Sequence, residues 1–398
     1  IKIFPQKHCA DFLHNVMKKQ EDNEMSVKKL GFGLMRLPAV DEADKSKVDV
    51  ERVCHLADRF LAEGFTYFDT AACYHSGNSE QAFREAVAKR YPREAYTITD
   101  KLSLFMLKEA SEMPGFFEKQ LENCGVEYFD YYLLHSLDEG AAKQAEEWGA
   151  FDFMLEKKAK GLVKHVGFSF HDKAEVLDKI LTRHPEMEYV QLQLNYADWE
   201  DSEVQSRKCY EVCVKYGKPV LVMEPIKGGM LANVPAEAEA LLKGARPEMS
   251  VASWAIRFAA SQENVFMVLS GMSDEQQVED NLSYMKDFAP LSDEEKDLVA
   301  KSAAIIKSKE KVPCTGCRYC TDGCPMKIAI PDYFKLLNRI SMFGEGQLAS
   351  AKSIYKDRTE KEGHGKASDC VGCRQCEEHC PQHLPITEYL EEVAKTFE

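Results

Sequence analysis

The chain has 398 residues, 44% of them hydrophobic and 29% charged, with a formal net charge of −15. That balance argues against a nucleic-acid partner, which clustered Lys and Arg would have to hold, and no uninterrupted apolar stretch is long enough to cross a bilayer. Fourteen cysteines, in a long chain whose start lacks the apolar run of a signal peptide, point to a reducing compartment, read here as the cytoplasm.

Residues 1–24 precede the first plausible strand and are set aside as an N-terminal extension, not necessarily native. From 25 to 311 short apolar runs alternate with longer amphipathic stretches, the mark of repeated strand and helix units in a parallel sheet. Eight runs are expected as strands: Leu30 to Met35, Thr66 to Phe68, Tyr96 to Thr99, Tyr131 to Leu134, Val163 to Phe168, Val190 to Leu194, Val220 to Met223 and Val265 to Leu269. Eight repeats in roughly 290 residues suit an α/β fold of the (β/α)8 TIM-barrel type, whereas a doubly wound sheet usually stops at five or six strands.

Such a barrel carries its chemistry at the C-terminal ends of the strands. The second run closes on Asp69 and Thr70, with Tyr74 in the next loop; the third closes on Asp100 and Lys101, the fourth on His135. Alone, a loop tyrosine is a surface residue and an Asp–Lys pair an ordinary ion pair. Together, at successive strand ends, the four describe one rim.

In these residues the chain resembles the aldo-keto reductases. The resemblance spans most of 25 to 311 and includes Gly31 to Leu34, the stretch FDTAACY, DKL at 100 to 102, YYLLH at 131 to 135, GFS at 167 to 169, and Asn281 with Leu282. It implies a catalytic tetrad of Tyr74, Lys101, Asp69 and His135. The chemistry agrees: reducing a carbonyl needs a proton donor beside the oxygen, and Tyr74 would be that donor. Lys101 would favour the charged form of a phenol whose ordinary pKa is about 10, Asp69 would hold the lysine, and His135 would direct and polarise the carbonyl. His75, where the family commonly has glycine, is a departure expected to narrow the pocket.

The resemblance also implies a nicotinamide site for NADPH or NADH. Ser169 and Gln191 match the carboxamide contacts, although Phe170 replaces the usual asparagine. Met223 stands where many members stack an aromatic ring, and Pro225, Ile226 and Lys227 match the loop along the pyrophosphate. On the adenosine side Gly271, Ser273, Gln277, Asp280 and Asn281 follow the family pattern, but a basic pair that grips the 2′-phosphate of NADPH is absent.

Ser292 with Glu295 forms a capping box opening a helix that runs toward Lys311 and closes the first domain. A second domain, 312 to 398, holds Cys314, Cys317, Cys320 and Cys324 followed by Pro325, then Cys370, Cys373, Cys376 and Cys380 followed by Pro381. Both read C-x2-C-x2-C-x3-C-P, the run of a two-cluster ferredoxin, in which the fourth thiolate ligates the other run's cluster. On that rule Cys314, Cys317, Cys320 and Cys380 hold one 4Fe-4S cluster, and Cys370, Cys373, Cys376 and Cys324 the other. Zinc sites rarely crowd four cysteines so, and disulfide frameworks belong to short secreted chains. Cys9, Cys54, Cys73, Cys124, Cys209 and Cys213 share no ligand spacing; Cys209 and Cys213, four apart, read as small hydrophobes on one helix face.

Between the runs, IPDYFKLLNRISMF reads as a helix and 344 to 366 as an exposed loop, as in the helical type of two-cluster ferredoxin. The whole chain resembles the aldo-keto reductase subgroup fused to such a domain. The leading expectation is an iron–sulfur oxidoreductase that reduces a carbonyl or oxidises an alcohol with NAD(P)H, its clusters serving a redox partner such as a flavoprotein or ferredoxin, or a regulatory or structural role. The alternatives are cluster-driven reduction in the barrel without nicotinamide, and a non-enzymatic electron carrier or redox sensor.

Overall fold

Each expected apolar run lies within or overlaps a strand: β1 (Leu30–Gly33), β2 (Tyr67–Asp69), β3 (Thr97–Leu102), β4 (Phe129–Leu137), β5 (Val163–Phe170), β6 (Tyr189–Gln193), β7 (Val220–Met223) and β8 (Val265–Ser270). In the computed structural model, which describes residues 28–41, 44–321 and 323–398, these strands close a parallel barrel in which sequence neighbours pair and β8 returns to β1. The extension 1–24 and Cys9 lie outside the described residues. A parallel barrel strand is covered on both faces, which is why near-continuous apolar text marks each one.

The differences lie at the ends. β1 stops at Gly33 and gives way to a 3-10 turn, Leu34–Arg36, while β3 runs on to Leu102 and β4 to Leu137. Lys101 and His135 therefore belong to strands, whose inward direction is fixed by the ladder. An antiparallel hairpin, Ala39–Asp41 with Asp44–Val48, was not expected; its charged text shows no apolar alternation.

The period of two along a strand stacks the interior in layers. Tyr67, Leu133, Tyr189 and Leu221 form one buried apolar layer with Met267 and Leu269. Asp69, His135, Gln191 and Met223 each follow one of these by two residues on the same face. The apolar layer thus floors the layer at the strand ends. Gly167 permits close approach there, since a Cβ would come within 2.4 Å of the Tyr189 carbonyl oxygen. Outside, the helix Val50–Ala62, capped by Asp49, buries Val53, Leu56, Ala57, Phe60 and Leu61 at helical intervals.

A second compact unit takes in 200–203, 227–254 and 292–398. Its helix Asp293–Ser308 opens with the capping box of Ser292 and Glu295. Helices Ile330–Phe343, Leu348–Glu360 and Ile386–Phe397 surround a core that includes Tyr333, Phe334, Leu337, Tyr355, Leu390 and Val393. Residues 344–366 are therefore not one exposed loop. The helix Leu348–Glu360 buries only Ala351 and Tyr355, four apart, so its polar face dominates the sequence. No described helix is long and apolar enough to cross a membrane.

Candidate active site and iron–sulfur centre

Lys101 is buried, and its Nζ donates to Asp69 Oδ1 and to the Thr70 carbonyl oxygen, both at 2.6 Å. Burial works against its charge, but the Asp69 carboxylate and the Tyr74 hydroxyl outweigh that and raise its pKa. Burial pushes the Asp69 carboxyl up against the pull of Lys101. Asp69 Oδ2 is buried without a hydrogen-bond partner.

Tyr74 follows β2 in a turn, Tyr74–Gly77, in which His75, Ser76 and Gly77 are all left-handed (φ 50°, 55° and 94°). That conformation is costly outside glycine. His75 Nε2 accepts from Leu37 N–H at 3.0 Å, tying the turn to the segment after β1. Lys101 Nζ lies 5.0 Å from the Tyr74 ring centre. The lysine lowers the phenol's pKa, as expected, but burial outweighs it and pushes Tyr74 up to about 12.

The His135 ring stands edge-to-face with Tyr74, centres 6.1 Å apart, and 5.4 Å from the exposed ring of Phe105. Burial, then the positive charge of Lys101, holds its pKa at about 3, so the imidazole is neutral near pH 7. Its Nδ1 lies 2.7 Å from Ser103 Oγ. Ser103 escaped the sequence reading. The available signal was parity: it follows Lys101 by two residues, as Lys101 follows Thr99.

Ser169 and Gln191 are cross-strand neighbours on β5 and β6. Gln191 Oε1 is buried and unpartnered, and Ser169 Oγ accepts from Ser136 N–H at 2.7 Å while keeping its own proton to donate. An orphaned acceptor beside a free hydroxyl proton fits a carboxamide. Phe170 is buried and packs near Phe168, ring centres 6.5 Å apart. Met223 ends β7 beside Gln193 and is partly buried. Glu224 separates it from Pro225 and Ile226, and Lys227 begins a 3-10 turn with a φ of 49°.

In the segment expected to face the adenosine, Ser273 Oγ donates to the Arg36 carbonyl oxygen at 2.6 Å, and its N–H to Gln277 Oε1 at 2.8 Å. Gly271 leaves room for the Arg36 side chain, whose Cδ would lie 3.3 Å from a Cβ there. Asp274 caps the helix Glu275–Met285: Oδ1 takes Gln277 N–H at 2.8 Å and Oδ2 takes Gln277 Nε2 at 3.0 Å. Asn281 is buried, donates to Ser270 Oγ at 2.6 Å and accepts from Tyr284, so it braces the loop from behind. Asp280 lies beside it, partly exposed.

Behind β3 lies a polar cluster that the sequence did not disclose. Buried Asp100 takes Lys101 N–H on Oδ1 at 2.8 Å. Gln120 Nε2 donates to the Lys101 carbonyl oxygen at 3.0 Å and to Glu80 Oε1 at 3.2 Å, and Asn123 donates to Glu80 Oε2 at 2.7 Å. Both peptide groups of Lys101 are thereby held.

In the second unit the two cysteine runs fold turn for turn alike. Gly316 and Gly372 (φ 67° and 68°), Arg318 and Arg374 (64° and 58°), and Lys327 and His383 (54° and 52°) hold matching offsets, all left-handed. One pocket is lined by Cys314, Cys317, Cys320 and Cys380, with Phe334 and Leu384 among its walls. Another is lined by Cys324, Cys370, Cys373 and Cys376, with Ile328 and Leu390. Four thiols on an apolar cavity suit an iron–sulfur cluster. Among the described residues no three His, Cys, Asp or Glu side chains gather as a single metal ion requires. Outside the runs, Cys209 and Cys213 are buried on the helix Ser206–Lys215, and every described cysteine is free of disulfides.

Residues 29–304 match the aldo/keto reductase family and 313–384 a 4Fe-4S dicluster domain. A (1S)-1,7-diacetoxy-luvungin A aldo-keto reductase of Citrus sinensis is 36% identical over 118 residues, 28% of this chain and 33% of that protein. An NADH-specific methylglyoxal reductase of Escherichia coli is 22% identical over 289 residues, 61% of this chain and 85% of that one. The chain spans about a third to a half of the length of several curated relatives it matches. An aldo-keto reductase of Klebsiella pneumoniae solved in complex with NADPH shares the fold, with a TM-score of 0.54 at 18% identity over 69% of this chain and 90% of that one.

Proposed function

The chain belongs to the aldo/keto reductase family, and from that premise we propose that it reduces a small-molecule carbonyl, or oxidises the matching alcohol, at the rim of Asp69, Tyr74, Lys101 and His135. The observation that carries this reading is their convergence: a buried lysine paired at 2.6 Å with Asp69, 5.0 Å from the Tyr74 ring, beside a neutral histidine.

Ser169 and Gln191 would hold the carboxamide of NADPH or NADH, with Met223 against the ring, Pro225, Ile226 and Lys227 along the pyrophosphate, and Gly271, Ser273, Gln277, Asp280 and Asn281 around the adenosine. The nicotinamide, when bound, supplies the hydride. Tyr74 gives its hydroxyl proton to the oxygen on which negative charge develops. Lys101 stabilises the phenolate left behind, and Asp69 and Thr70 keep the ammonium in place. His135 donates a hydrogen bond to the same oxygen and orients it. A tyrosine held at a pKa of about 12 keeps its proton until that charge develops.

Residues 25–311 would serve as the catalytic barrel and 312–398 as a two-cluster domain, with Cys314, Cys317, Cys320 and Cys380 around one 4Fe-4S cluster and Cys370, Cys373, Cys376 and Cys324 around the other. The clusters, when bound, pass single electrons, and a flavoprotein or ferredoxin in the cytoplasm would be their partner. Tyr74→Phe tests the reading: carbonyl turnover with NADPH or NADH should fall at least a hundredfold with iron content unchanged, whereas retained turnover would overturn it.

A further inference from the structure

Ser103 follows β3 directly and is wholly buried. Among the described residues its hydroxyl has one hydrogen-bond partner, His135 Nδ1 at 2.7 Å. A neutral imidazole carries a single ring proton, so this contact has two forms. If Nδ1 held the proton and Ser103 accepted it, the serine proton would be buried with no acceptor, and Nε2 would present a lone pair. If Ser103 donates, its proton is satisfied, and what goes unmet is a lone pair on oxygen. An unmade buried donor carries its full desolvation penalty, while hydroxyl oxygens tolerate an empty lone pair. The first form also sets the Nε2 lone pair against a carbonyl oxygen.

We propose that Ser103 is a positioning residue that donates its hydroxyl proton to His135 Nδ1 and thereby fixes the imidazole as the Nε2–H tautomer. The proton then lies on the ring edge away from Ser103, where it can be given to a carbonyl oxygen. The serine performs for the histidine what Asp69 performs for Lys101: it fixes a group that acts on substrate. The functional part of this proposal rests on the carbonyl-reducing reading above; the tautomer itself does not.

The test uses the full, cluster-loaded chain with 15N-labelled histidine. Long-range proton–nitrogen correlation near pH 7 reads the His135 ring, assigned by its loss in His135→Gln. The expected wild-type ring carries its proton on Nε2, and in Ser103→Ala the two nitrogens should become averaged. In Ser103→Ala kcat/KM for carbonyl reduction should fall about 10- to 100-fold, the range seen when a metal-bound histidine loses its outer hydrogen-bond partner, with nicotinamide affinity unchanged. A proton on Nδ1 in the wild type, or a Ser103→Ala ring and kcat/KM equal to the wild type, would overturn the proposal. The wild-type spectrum decides even if Ser103→Ala does not fold. Tyr74→Phe measured alongside separates the two claims, because surviving turnover there removes the carbonyl-reducing reading while the tautomer still decides the role of Ser103.

Discussion

Lys101 and Asp69 form an ion pair at 2.6 Å in which neither side chain is more than 3% exposed. Removing one partner of such a pair leaves an uncompensated buried charge, at a cost of about 3–5 kcal/mol. Lys101→Met should therefore lower the unfolding free energy measured by urea denaturation by an amount in that range, with a lower midpoint, and abolish turnover. Adding Asp69→Leu should restore most of the stability and none of the activity. If the single variant keeps the wild-type midpoint, the pair does not bear on folding as described.

The pH dependence of the reaction follows from His135, whose folded pKa near 3 lies far below the ordinary histidine value of about 6.5. The ring stays neutral across the physiological range, so kcat/KM for carbonyl reduction should show no limb with a midpoint near 6.5. Such a limb, absent in His135→Gln, would show that the histidine titrates where the structure keeps it neutral.

Asp100 and Glu80 act on stability with the opposite sign from a salt-bridged carboxylate. Burial, then the neighbouring Glu80, raises Asp100 well above the carboxylate range; burial raises Glu80, which shares a hydrogen bond with Asp100. Folded pKa values above the unfolded ones mean that the folded chain binds more protons, so stability from these groups falls as pH rises from about 4. Asp100→Asn removes one such group. Its urea midpoint relative to wild type should rise as the pH climbs above about 4, and a flat or falling difference would contradict the assignment.

The crossed cysteine lining has a spectroscopic consequence. Cys380→Ser should perturb the same cluster signal as Cys314→Ser, and Cys324→Ser the same one as Cys370→Ser, in electron paramagnetic resonance of the reduced protein. Cys380→Ser grouping with Cys370→Ser instead would show that each run ligates its own cluster.

Asp274 bears on coenzyme choice. Its carboxylate fills the end of the helix Glu275–Met285, where an anion such as a 2′-phosphate would otherwise be favoured. NADH should be the preferred coenzyme, and Asp274→Ser should raise NADPH use relative to NADH about tenfold, measured as the ratio of kcat/KM values. An unchanged ratio would remove Asp274 from the adenosine site.

The barrel was legible because its strands are covered on both faces and so read as apolar runs, three of them closed by Asp69, Lys101 and His135. The helix Leu348–Glu360 and the hairpin Ala39–Asp41 with Asp44–Val48 were not, since each buries little and shows mostly its charged face. Asp69, Lys101 and His135 stood at strand ends in the text. Ser103, Gln120 and Glu80 did not stand out, because their roles come from neighbours brought together by the fold: Glu80 meets Gln120 forty positions along the chain. The upward shift of Tyr74 was likewise hidden, since burial is a property of the assembled barrel.

The most direct test of the carbonyl-reducing account uses nicotinamide coenzyme doubly deuterated at C4 with the cluster-loaded protein and a panel of carbonyls under anaerobic conditions. Mass spectrometry of the alcohol should find one deuterium on the former carbonyl carbon in the wild type and no product with Tyr74→Phe. An alcohol carrying only solvent hydrogen at that carbon would show that no hydride passes directly from the coenzyme, and would contradict the account.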